Sequence, residues 1–128
     1  KYAELLEKKL NEFNSEVYLV NTGWSGSSST SGSQRIDLKL TKHIIDLITE
    51  NKLNFNASIK DQFFNLDIPL NLDGLDNKFL VPHLSWSNHE EYISTGNMLT
   101  RLFKSNFEKY DISDSAIIGA GPKSEFST

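Results

Sequence analysis

The stretch "VYLVNTGWSGSSSTSGSQRIDLKLTKHIID", Val17 to Asp46, decides how this chain is read. Val17-Tyr18-Leu19-Val20 is a short apolar run of the kind that forms a buried strand. A serine and glycine stretch follows over 25–34. In "RIDLKLT" the apolar residues Ile36, Leu38 and Leu40 then alternate with charged ones, which predicts a half-buried strand. Thr41 is placed to cap a helix running to about Asn51, with Ile44, Ile45, Leu47 and Ile48 on its apolar face. Strand, loop, strand and helix in that order predict a mixed α/β (α+β) domain.

Upstream, Tyr2, Leu5, Leu6, Leu10 and Phe13 recur at three- to four-residue intervals, which predicts an amphipathic helix over 1–13. Downstream, 52–87 reads as short extended pieces, "SIKDQFF", "LDIPL" and "KFLVP", separated by Asn, Asp, Gly and Pro turns. Helical spacing returns over 88–110 through Tyr92, Leu99, Leu102, Phe103, Phe107 and Tyr110. Ser87 or Asn88 caps that helix, and Gly96 weakens it by about 1 kcal/mol relative to alanine. The tail, 111–128, carries one apolar knot, Ala116 to Ile118, before a glycine and proline ending. No repeat is visible, and 1–128 reads as a single domain.

With 128 residues, 38% of them hydrophobic and 11% aromatic, the chain is long enough to bury a core. Its 17 acidic and 13 basic side chains give a net charge of -4, and no basic cluster reverses it locally. Direct nucleic-acid binding and anionic membrane are therefore not expected. The absence of cysteine excludes disulfides, thiolate metal sites and cysteine nucleophiles, and a reducing intracellular compartment, cytoplasm or mitochondrion, is the simplest home. No run reaches the ~20 apolar residues of a membrane span. The sequence starts at Lys1 without methionine, so a leader or upstream region is not visible in it. Asn56-Ala57-Ser58 is a glycosylation triplet of the kind an asparagine-rich chain contains by chance.

A phosphate loop uses glycines so that backbone N–H groups close around oxygens, with lysine on the terminal phosphates. Here Gly26 and Gly32 have the wrong spacing, Gln34 stands where a cation would help, and no Lys-Ser or Lys-Thr pair follows. Read without function, 25–34 is a flexible connector spanning roughly 17 Å as coil, and Trp24 beside it is a core plug. His83 and His89, near Glu90 and Glu91, do not have a known ligand spacing. His43 reads as a surface residue of its helix. The pairs Asp73 and Asp76, and Asp111 and Asp114, belong to solvated turns rather than to acid–base partners.

"YAELLEKKL", "VYLVNTGW" and "RIDLKLTKHIID" resemble the carboxy-terminal part of the ATP-dependent phosphoenolpyruvate carboxykinases. There a helix precedes a strand ending in VNTGW, and a glycine-rich loop ending Gly-Lys-Arg-Ile leads to a Thr-Arg-x-Ile-Ile-Asp helix. "FFNLDIPLNLDGLDNKFLVPHLSW", "LTRLFKSNFEKY" and "GAGPK" continue the likeness in order. The resemblance implies the carboxy-terminal lobe of the carboxykinase fold, a small sheet packed with three helices. The family turns oxaloacetate and ATP into phosphoenolpyruvate, carbon dioxide and ADP, with magnesium and manganese. Its phosphate loop, metal ligands and oxaloacetate-binding arginine lie upstream of the matched region, so this chain alone is expected to be inert, with no catalytic and no metal-binding residue of its own.

By the same resemblance Arg35 and Ile36 match the family's Arg-Ile, and Thr41 matches its adenine-side threonine; these would hold ATP, with Mg as its companion ion. The chain departs from the pattern at Gln34, where the family has lysine, and at Pro82-His83-Leu84-Ser85, where it has Pro-Arg-Asn-Thr. Both changes remove cations. The leading expectation is a non-catalytic carboxykinase-like domain, a structural or interaction module within a larger assembly. The alternative is the carboxy-terminal piece of an ATP-dependent carboxykinase that supplies the adenine side of the ATP site, and a third is a regulatory module that binds nucleotide. A protein partner or the upstream part of the carboxykinase fold is expected, and Tyr18, Phe63, Phe64 and Phe79 are the aromatics to watch for exposure or for burial against it.

Overall fold

The computed structural model describes residues 2–26, 33–53 and 57–123. Helix α1 (Tyr2–Phe13) forms where the spacing places it. Asn14 ends it in a left-handed conformation (φ 47°), and the Ser15 N–H turns back to the Leu10 carbonyl at 3.1 Å. No residue of α1 is buried: Tyr2 is 89% exposed, and Leu5, Leu6 and Phe13 are all more than half exposed. Its amphipathic pattern is real, but the described chain offers that face nothing to cover it.

Val17 to Val20 is not the buried strand that its composition predicts. Val17 and Leu19 are exposed, and the segment joins no ladder among the described residues. A strand needs a neighbour for its N–H and C=O groups, and none is supplied here. The first ladder is shorter and later. β1 (Trp24–Ser25) pairs antiparallel with β2 (Gln34–Arg35), Trp24 opposite Arg35 and Ser25 opposite Gln34. Trp24 is 49% exposed, so it is not a core plug.

The half-buried strand expected through Leu40 stops at Arg35, because Asp37 starts a helix. Its side chain accepts the Lys39 N–H at 2.8 Å and caps α2 (Leu38–Thr49). Thr41 is therefore not the cap but lies inside the helix, its N–H donating to the Asp37 carbonyl at 3.1 Å. At the other end Asn51 (φ 55°) closes α2, with Lys52 N–H bonded to Leu47 O at 2.8 Å and Asn51 N–H to Ile48 O at 3.1 Å.

β3 (Ser58–Lys60) and β4 (Asp67–Pro69) form a hairpin in which Ile59 faces Ile68. "KFLVP" is helical rather than extended. Asp76 caps α3 (Asn77–Leu80) by accepting the Lys78 N–H, and Pro82, whose missing N–H costs nothing at a first helical position, opens α4 (Pro82–Ser85). Helix α5 (His89–Phe107) is capped by Asn88, which accepts the Glu91 N–H at 3.1 Å. The apolar knot in the tail lies within a short helix, α6 (Ser115–Ala120), capped by Asp114. Ile117 and Ile118 are exposed there, and beyond them the Lys123 N–H bonds the Phe63 carbonyl at 2.8 Å.

The mixed α/β class stands, but among the described residues there are two separate two-stranded sheets rather than one small sheet, and short helices besides the three long ones. Among the described residues two apolar clusters form the core. Leu47, Leu72 and Leu75 gather Leu40, Ile44, Leu53 and Leu80, while Phe63, Tyr92 and Ile93 gather Phe64 and Trp86. Of the aromatics singled out from sequence, Phe63 is 2% exposed, Phe64 and Tyr18 are half-buried, and Phe79 is exposed. No described helix is long and apolar enough to cross a membrane.

Candidate functional site

The β1–β2 ladder and the start of α2 are fixed by a local brace around "NTGW". The Asn21 carboxamide oxygen accepts the Gly23 N–H at 2.9 Å, and its NH2 group donates to the Trp24 carbonyl at 3.1 Å. Gly23 in turn offers its carbonyl to the Ile36 N–H at 3.0 Å. Arg35, Ile36 and Asp37 thereby leave the ladder in one defined direction, and the Asp37 cap turns the chain into α2, where Thr41 is half-buried. The three residues assigned to ATP by resemblance thus fall within seven positions on one braced segment.

Behind that segment is a cavity of about 840 Å³. Its lining includes Ile36 and, on α2, Leu40, Ile44 and Ile48, together with Ile68, Leu72, Phe79 and residues 16–21. Ile36 lines it, whereas Arg35, exposed on β2, and Thr41 do not. The described lining contains no lysine or arginine but does contain Glu16 and Asp67. Tyr18, also on the lining, donates its hydroxyl to the Glu16 carboxylate, and that bond raises the phenol's pKa. An apolar wall of this kind fits the face of a purine. The carboxylates of Glu16 and Asp67 on the same lining do not fit a triphosphate.

Gly26, the last described residue before the serine-rich stretch, has φ 91°, and a Cβ there would lie 2.8 Å from the Ser85 carbonyl oxygen at the end of α4. Gly26 therefore lies against Ser85, the last residue of the Pro82–Ser85 segment that departs from the carboxykinase pattern. Residues 27–32 of the loop, the Gln34 side chain, and Asn56 of the glycosylation triplet lie outside what is described.

The histidines behave differently from their sequence reading. His43 is half-buried and its Nε2 is 2.8 Å from the Asp73 carbonyl, so it is not a plain surface residue. His83 and His89 flank one ring, with centroids 6.2 and 6.1 Å from that of Tyr92. Among the described residues no three histidines or carboxylates come close enough to hold a metal ion. Asp76 and Asp114 have structural work as helix caps, and the Lys78 N–H bond holds the Asp76 carboxyl below the usual carboxylate range. Sequence reading passed over Asn21 and Asp37, although a short polar side chain before a glycine or a helical run was the available signal.

A family model described as phosphoenolpyruvate carboxykinase matches residues 1–78. The phosphoenolpyruvate carboxykinase (ATP) of Fusobacterium nucleatum is 40% identical over 124 residues, 95% of this chain and 23% of that protein. That of Oceanobacillus iheyensis is 38% identical over 122 residues, again 95% of this chain and 23% of its own length. That of Dictyostelium discoideum is 37% identical over 123 residues, 95% and 22% respectively. The chain thus spans a little under a quarter of the length of these relatives.

Proposed function

This chain belongs to the phosphoenolpyruvate carboxykinase family, and we propose that it forms the adenine-side wall of the ATP site in an ATP-dependent carboxykinase. The observation that supports the proposal is the brace of Asn21 and Gly23, which fixes where β2 hands over to α2 and accompanies Ile36 on an apolar cavity, with Arg35 and Thr41 close by in sequence. In this reading Ile36 contacts the base, Thr41 serves the adenine side, and the Arg35 guanidinium meets the phosphates with a charge-assisted bond. ATP, with its magnesium ion, supplies the phosphoryl group of the family's reaction, and the decarboxylation chemistry belongs to residues outside this stretch.

The exposed apolar faces support the same reading. Tyr2, Leu5, Leu6 and Phe13 on α1, with Val17 and Leu19 after it, form a surface that fits burial against the remainder of a carboxykinase fold. This favours the reading as part of a larger enzyme over the leading sequence expectation of a non-catalytic module. What speaks for the module is the loss of cations, with Gln34 in place of lysine and no Lys or Arg among the described residues of the cavity lining.

Calorimetric titration with Mg-ATP separates the two. Binding in the micromolar to low millimolar range, weakened about tenfold or more in Arg35→Ala, is expected from loss of one charge-assisted contact of ~1.5–3 kcal/mol. No heat of binding, or binding that ignores Arg35→Ala, would leave the interaction-module reading in its place.

A further inference from the structure

We infer that His43 is a positioning residue for this nucleotide wall: its imidazole latches α2 to the turn at 72–75 and so sets the width of the cavity that Ile36 lines. The functional half of the inference rests on the reading above, while the latch rests on geometry alone.

His43 lies two residues beyond Thr41 on α2, and its Nε2 reaches the Asp73 carbonyl oxygen, 30 positions along the chain, at 2.8 Å. A carbonyl can only accept, so Nε2 carries a proton and donates it. The backbone is shaped for this approach. Gly74 has φ 72°, and a Cβ there would lie 3.2 Å from Nε2, so a side chain at 74 would be both strained and pressed onto the imidazole.

On either side of the latched carbonyl, Leu72 and Leu75 are buried with Leu47, one turn beyond His43 on α2. Leu72 also lines the cavity, as do Leu40 and Ile44 of the same helix, which pack against this leucine cluster. The leucines supply the non-directional attraction between helix and turn. The imidazole supplies a directional bond between them, and so fixes how far the turn stands from the helix. In the carboxykinase pattern this position is the unspecified one of Thr-Arg-x-Ile-Ile-Asp, so the latch is a property of this chain's own residue.

Three measurements test it. Long-range 15N–1H correlation at pH 8 on the wild-type chain should show His43 protonated at Nε2; a bare Nε2 would overturn the latch. Amide exchange at Leu75, whose N–H bonds Leu72 O at 3.1 Å, should be about tenfold faster in His43→Phe, which keeps the ring without the donor. In His43→Gln, which keeps a donor amide, it should stay within about threefold of wild type. Equal exchange in all three proteins also overturns the latch. Mg-ATP dissociation constants should rise about three- to tenfold in His43→Phe and recover in His43→Gln. Unchanged affinity in His43→Phe overturns the positioning role. If the wild type binds no ATP, the nucleotide reading fails, and tautomer and exchange still decide the latch.

Discussion

The ring of Phe63 lies on the backbone of Gly96: a Cβ at position 96 would sit 2.3 Å from both Cε2 and Cζ of that ring. Phe63, on the hairpin turn, is 2% exposed and reaches α5 only because the helix has no side chain there. The glycine that reads as a defect in the helical pattern is therefore the seat of the aromatic cluster.

Gly96→Ala sets two effects against each other. Helix propensity favours alanine by about 1 kcal/mol, while displacing a buried ring from a filled site costs ~1–3 kcal/mol. With contacts this short the second effect dominates, and the urea midpoint should fall. A midpoint at or above wild type would mean that the ring has an alternative seat.

Asp61 holds the turn that presents Phe63. Its Oδ1 accepts the N–H groups of Phe63 and Phe64 at 2.9 and 2.6 Å, and the residue is 8% exposed. Asp61→Ala leaves two backbone donors without their acceptor and should cost ~2–3 kcal/mol, whereas Asp61→Asn, which keeps an oxygen there, should lose less. Thermal unfolding of the pair checks this, and equal losses would show that the charge, not the turn geometry, matters.

Tyr92 ties stability to high pH. Burial, with a smaller contribution from the Asp61 charge, pushes its phenol from 10.0 up to about 12. Below pH 10 the phenol is neutral in both folded and unfolded chains, and its contribution is fully present. Between about pH 10 and 12 the unfolded chain releases this proton and the folded one does not, so stability falls with rising pH, by roughly 2–3 kcal/mol in total. Subtracting the pH profile of Tyr92→Phe from that of wild type should isolate this slope, and identical profiles would place the phenol in water.

The long periodic segments were legible because their signal is local. Helix α1 and the Asn88 cap of α5 follow from side-chain spacing and one polar residue, with no knowledge of neighbours. Around α2 the local signals competed: alternation through Ile36, Leu38 and Leu40 suggested a strand, but the Asp37 cap wins and starts the helix before Thr41. Likewise Asp76 and Pro82 turn "KFLVP" into two helical turns. The candidate site was legible as a motif, since Arg35, Ile36 and Thr41 could be named by resemblance. Its cavity was not, because Leu72 and Phe79 come to it from more than thirty residues away.

By itself the sequence determined the family, the mixed α/β class and the main helices, because residue identity, spacing and capping chemistry act over a few residues at a time. Tertiary structure alone decided that Gly96 receives Phe63, that Gly26 abuts Ser85, that His43 bonds Asp73, and that Val17 to Val20 remains outside any described sheet. Each of these depends on what a distant segment brings to the same place. A hydrogen bond, a ring contact or a strand ladder has two ends, and a pattern read along one stretch contains only one of them.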